Sequence, residues 1–168
     1  NVRVMDAGAG FGQYGYYIWK KFRNAHVTGI DISQSHVDKA NTFFKQINAN
    51  NIRFEQGDLT EFKRENAFDL IVSVDVMEHI LDDRKVFENF HHSLREDGIL
   101  LVSTPSDQGG SDVHDHGHDH DGEGSSSFID EHVRDGYGVD EITEKLKTAG
   151  FPDVDVKYTY GKPGKISW

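Results

Sequence analysis

The stretch VMDAGAGFGQYG, Val4 to Gly15, decides how this chain is read. It starts as a short apolar strand, closes that strand near an acid, and then spaces glycines at Gly8, Gly10, Gly12 and Gly15. Glycine at such a turn lets the backbone bend sharply and pass close to a ligand. Two patterns overlap here. GFGQYG, Gly10 to Gly15, has the G-x-G-x-x-G spacing, with Asp31 about twenty residues on, as in a dinucleotide fingerprint. DAGAGFG, Asp6 to Gly12, instead places a carboxylate just ahead of the glycines. A pyrophosphate resting on the helix N-terminus would be repelled by that carboxylate, and a cationic ligand would be attracted.

The rest of the chain repeats the strand-then-helix theme. HVTGIDIS reads as a second strand ending at Asp31, and Ser33 as the N-cap of a helix with Val37, Ala40, Phe44 and Ile47 on one face. NIRFEQGDL reads as a third strand ending at Gly57-Asp58. FDLIVSVD, Phe68 to Asp75, is a nearly unbroken apolar run, which suits a parallel strand covered on both faces. A helix follows with Val86, Phe87, Phe90 and Leu94 inside and Gly98 as its stop; GILLVSTP is the fifth strand. A last helix, Val139 to Ala149, buries Ile142, Leu146 and Ala149, stops at Gly150, and leads to a sixth strand over Val154 to Tyr160. This alternation predicts an α/β fold, a doubly wound, mostly parallel sheet with helices on both faces. Ligands of such sheets bind beyond the carboxyl ends of the strands, and Asp6, Asp31, Asp58 and Asp75 all fall there.

The 168 residues suit one domain, interrupted by a polar His/Asp/Gly/Ser-rich loop over 106–127. No apolar run approaches the ~20 residues of a membrane span. The chain has no Cys, so disulfides, thiol nucleophiles and Cys-ligated zinc are excluded. A net charge of −11 argues against a nucleic-acid partner, which calls for a basic footprint. The chain opens on Asn1, directly before the first strand, so a fragment truncated at both ends is expected.

The motifs resemble those of the class I S-adenosylmethionine-dependent methyltransferases, especially type-11-like small-molecule members, over nearly the whole chain. VMDAGAGFG is similar to their first motif, GIDIS to the second-strand acid, FEQGDL to the third-strand Asp, FDLIVSVDVMEHI to the fourth motif and LREDGILLVSTP to the fifth strand. The resemblance implies a Rossmann-like fold, S-adenosylmethionine as cofactor, a cytoplasmic setting, and in-line methyl transfer to a small-molecule or lipid-like acceptor. It also implies roles. Gly8, Ala9 and Gly10 would pass under the methionine part, with Asp6 near its ammonium through a water or the backbone. Asp31 would accept from the ribose hydroxyls and Ile32 would pack on the adenine. Asp58 and Leu59 would meet the adenine edge, and Val74 and Asp75 would border the sulfonium. The family's seventh strand has no counterpart that the sequence identifies. A dinucleotide-dependent oxidoreductase, or a non-catalytic module with a metal-binding loop, stays open as the alternative.

Methyl transfer needs a base only where the acceptor must lose a proton, and histidine suits that task near neutrality. His79, in DVMEHI, and His132, in FIDEHVRDGYG, are the candidates; Arg134 and Tyr137 are further candidates to face the acceptor. Asp75, Glu78 and His79 lie where some quinone O-methyltransferases hold a divalent cation, yet no metal is expected here. His114, His116, His118 and His120 alternate with acids and read as a solvated loop with adventitious metal affinity.

Overall fold

The computed structural model describes residues 1–108 and 132–159. Its elements run β1 (Arg3–Ala7), α1 (Gln13–Lys21), β2 (His26–Asp31), α2 (Gln34–Gln46), β3 (Ile52–Gln56), β4 (Phe68–Val74), a 3₁₀ turn (Met77–His79), α3 (Asp83–Ser93), β5 (Leu94–Ser103) and α4 (Val139–Thr148). The five strands form one sheet in the order β3-β2-β1-β4-β5, and every pairing is parallel. The order reverses between β1 and β4, so a crevice opens at their carboxyl ends.

Burial on both faces explains the apolar strands. Along β1, Val4 packs with Val27 of β2, Val72 of β4, and Val37, Ala40 and Phe44 of α2. Met5 and Ala7 point the other way, onto Val86, Phe87 and Phe90 of α3 and Ile142 and Leu146 of α4. Alternation along a strand thus feeds two separate cores. Ser33 caps α2, its hydroxyl accepting from His36 N–H at 3.4 Å. Gly150, at φ +110°, stops α4 as expected. Ile47 is the exception on α2: it sits at the helix end and is 37 % exposed.

Two expectations fail. Helix α3 ends at Ser93, not near Gly98, because Leu94 is already extended and pairs with Phe68 of β4. Asp97, at φ +63°, makes the turn, and Gly98 matters because a Cβ there would lie 2.9 Å from the Arg95 carbonyl. The sixth strand also does not form over the described part, 154–159; Tyr160 lies outside the described residues. Val154 and Val156 do pack on the core. A groove of about 500 Å³, lined by Ile99, Leu101, Val154, Val156 and Tyr158, separates this segment from β5, so no backbone ladder connects them. Residues 109–127 of the expected polar loop, including the four alternating histidines, also lie outside the described residues.

Candidate active site

The opening turn is clamped on three sides. Gly8 and Ala9 N–H both donate to the Ile30 carbonyl of β2, at 2.8 and 2.9 Å. Gly8 has φ +71°, and a Cβ there would lie 2.4 Å from Val76 Cγ2, just past β4. Any side chain would therefore wedge the crevice apart as well as strain the backbone. Gly10, at φ +52°, has the opposite surroundings: a Cβ there would meet nothing within 4 Å, so this residue faces the open crevice.

Asp31 closes the second side. Its Oδ2 accepts from Gly10 N–H at 2.7 Å, and its Oδ1 from Ser33 N–H at 2.9 Å and His36 Nδ1 at 3.2 Å. The carboxylate is thus fixed in orientation by both loops while keeping lone pairs for a hydroxyl-bearing ligand. Next to it, Ile32 is 67 % exposed, an apolar surface held at the end of β2. Asp58 is exposed; its Oδ1 accepts from Thr60 N–H and Oγ1, and both of these bonds spare Oδ2. Leu59, by contrast, is buried in the core, so only its main chain can meet a ligand. Val74 ends β4, and Asp75 is exposed in the left-handed region at φ +53°, its N–H tied to Ser103 O.

Asp6, the acid of β1, supports the turn from below. It lies beneath the turn, 2 % exposed, with Oδ2 accepting from Gly15 N–H in the first turn of α1 at 2.8 Å. Burial pushes its pKa up to about 6, partly countered by the Gly15 hydrogen bond and reinforced by the Asp31 charge. An acid raised from 3.8 to about 6 on folding binds protons more tightly in the folded state. Stability therefore falls as pH rises between these values and then levels off, a cost of roughly 3 kcal/mol at neutral pH. Asp6→Asn keeps an oxygen for Gly15 and should abolish that slope, which thermal melts between pH 4 and 8 will read.

The acceptor side is built by a segment from far along the chain. Val133 N–H donates to Glu78 O at 3.0 Å, and Arg134 donates to Ile80 O and Leu81 O. Its anchor is Asp83, 3 % exposed, whose Oδ2 takes Lys145 Nζ at 2.6 Å, Tyr137 OH at 2.7 Å and Arg134 Nη1. Burial pushes the Asp83 carboxyl up, but Lys145, Tyr137 and Arg134 outweigh it and hold the group below the ordinary value. Arg134 and Tyr137 therefore hold the structure together and do not face an acceptor; Tyr137 is 3 % exposed. Sequence reading missed Asp83 and Lys145. One signal was available: Lys145 falls in register with Ile142, Leu146 and Ala149 on the buried stripe of α4.

This stitching sets His132 beside His79, their rings edge-on with centroids 4.8 Å apart. Glu78 lies under them, 1 % exposed, with Oε2 accepting from Thr104 Oγ1. One donor atom from each of Glu78, His79 and His132 lies within 4.8 Å of the others. The structure thus adds His132 to the Glu78–His79 pair that the sequence had grouped with Asp75, and leaves Asp75 out.

The family described as "Methyltransferase domain" matches residues 1–149. The chain belongs to this family. The methyltransferase domain is similar to the malonyl-[acyl-carrier protein] O-methyltransferase of Bacillus anthracis, 30 % identical over 68 % of this chain and 41 % of that protein. It is also similar to phosphoethanolamine N-methyltransferase 1 of Arabidopsis thaliana, 31 % identical over 90 % of this chain and 29 % of that protein. In fold it resembles Haemonchus contortus phosphoethanolamine N-methyltransferase 2 in complex with S-adenosyl-L-methionine. The TM-score is 0.74 at 22 % identity, over 95 % of this chain and 35 % of that one. The methyltransferase domain spans less than half the length of these relatives. Among the described residues no helix is long and apolar enough to cross a membrane.

Proposed function

We propose that this chain binds S-adenosylmethionine in the crevice between β1, β2 and β4 and directs methyl transfer to a small-molecule acceptor. One observation carries the choice of ligand. Asp6 accepts from Gly15 N–H, so the chain's own carboxylate already occupies a first-turn donor of α1 that a pyrophosphate would use. A cationic nucleoside without phosphate suits that arrangement, and the dinucleotide reading gains no support from the family match.

The residues fit the cofactor. Open space at Gly10 admits its methionine part, the fixed Asp31 carboxylate accepts from ribose hydroxyls, exposed Ile32 offers an apolar surface to the adenine, and Asp58 Oδ2 an acceptor to its amine. When bound, the group supplies a methyl on a cationic sulfur. The chain's part is alignment and exclusion of water. Val74 and Asp75, at the end of β4, border the reacting centre. His132 is exposed and accessible to take an acceptor's proton, and His79 backs it. A cytoplasmic setting and an acceptor other than nucleic acid belong to the same proposal, the latter on the net charge of −11.

Isothermal titration tests it. S-adenosylhomocysteine should bind with micromolar affinity and NADH should give no heat. Heat with NADH alone would overturn the proposal.

A further inference from the structure

We propose that Glu78, His79 and His132 form a binding site for one divalent first-row transition-metal ion. The case starts from burial. Glu78 is 1 % exposed, and a carboxylate taken out of water is costly unless a cation or hydrogen bonds compensate it. Thr104 supplies one hydrogen bond, to Oε2 at 3.1 Å. Among the described residues no Lys or Arg forms an ion pair with Glu78; His79 Nε2 lies 3.9 Å from Oε1.

Two imidazoles converge on this carboxylate, and His132 comes from a different part of the chain. Its place is set by the Val133–Glu78 backbone hydrogen bond and by the Arg134–Asp83 anchor, so the convergence is built into the fold. With the rings edge-on and 4.8 Å apart over Glu78, one ion can take a lone pair from each ring and from the carboxylate. Ligand atoms around a tetrahedral ion lie roughly 3.4 Å from one another. From a spread of 4.8 Å, small side-chain rotations close the set, and exposed His132 is free to make them.

The donor chemistry names the ion. Two nitrogens and one carboxylate oxygen favour zinc and its first-row neighbours over magnesium or calcium, which prefer all-oxygen shells. Three protein ligands leave a position for an oxygen of the acceptor, and the proton-accepting role given to His132 above then belongs to the ion-free site. That last point rests on the reading above; the ion site itself does not. Asp75, although close in sequence, is not part of the set.

The histidines at 114–120 would confuse a metal titration, so the test uses the full chain with His114, His116, His118 and His120 changed to Asn. Zn²⁺ followed by calorimetry should still bind at one ion per chain. Adding His132→Ala, at an exposed position that leaves the melting temperature unchanged, should weaken it by at least about tenfold, the scale on which disturbed metal shells lose affinity. Glu78→Gln keeps the oxygen that faces Thr104 and should weaken binding similarly. Zn²⁺ binding that vanishes with the four Asn substitutions, or is indifferent to His132→Ala, overturns the site. S-adenosylhomocysteine is titrated into the same samples: its failure to bind would sink the methyl-transfer reading and leave the metal site standing.

Discussion

Asp31→Ala is expected to weaken S-adenosylhomocysteine binding by about 100-fold. The carboxylate holds the crevice together from one side: Oδ2 takes Gly10 N–H, and Oδ1 takes Ser33 N–H. Its removal strips two charge-assisted hydrogen bonds from the loops as well as the acceptors meant for the ligand's hydroxyls. Hydrogen bonds to a charged group contribute about 1.5–3 kcal/mol each, and every 1.4 kcal/mol is tenfold in affinity. Two lost ligand bonds therefore suffice for the factor given. Asp31→Asn separates the causes. It keeps one oxygen for Gly10 or Ser33 but loses the charge and half of the accepting capacity, so its affinity should fall between the two. Calorimetry reads both variants. An affinity for Asp31→Ala within threefold of the parent would place the ligand elsewhere.

The second large effect is on stability. Asp83→Leu should cost about 3–5 kcal/mol, because Lys145 and Arg134 are left buried or half-buried without their shared carboxylate. For a domain of this size that is roughly 6–20 °C in melting temperature. Adding Lys145→Met should recover part of the loss, since an apolar replacement removes the stranded charge. The pH dependence has a definite sign. The folded-state pKa of Asp83 lies below its ordinary 3.8, so its contribution is complete above 3.8 and is lost as pH falls through the lower folded value. The difference between parent and Asp83→Asn should thus be full at neutral pH and shrink in acid. Because Asp83 also anchors the segment carrying His132, Asp83→Leu should lower the methyl transfer proposed above by more than its stability loss accounts for.

The five strands of the sheet and the existence of its helices were legible because burial enforces periodicity locally. FDLIVSVD is a strand covered on both faces in any α/β sheet, and Ser33 caps a helix by its own hydroxyl. Asp31, Ile32 and Asp58 could be placed because strand ends in such a sheet converge on one edge. The turn at Gly10 was legible from the glycine spacing; that open space lies over it is a finding of the structure.

Other features depend on which segments meet. Asp6 reads as a strand-end acid from its spacing; that its Oδ2 takes Gly15 N–H of α1 follows from how the helix folds over it. Val154 and Val156 alternate like a strand, but a ladder needs an adjacent edge, and a groove intervenes. The sequence by itself determined the alternation of strands and helices, the turn at Gly8–Gly10 and the acids at strand ends, because each follows from short-range sterics and patterning. Only the tertiary structure decided that Asp83 gathers Lys145, Tyr137 and Arg134, and that Glu78, His79 and His132 share one point. Those contacts join segments far apart in the chain, and their energy comes from burial, which no local spacing encodes.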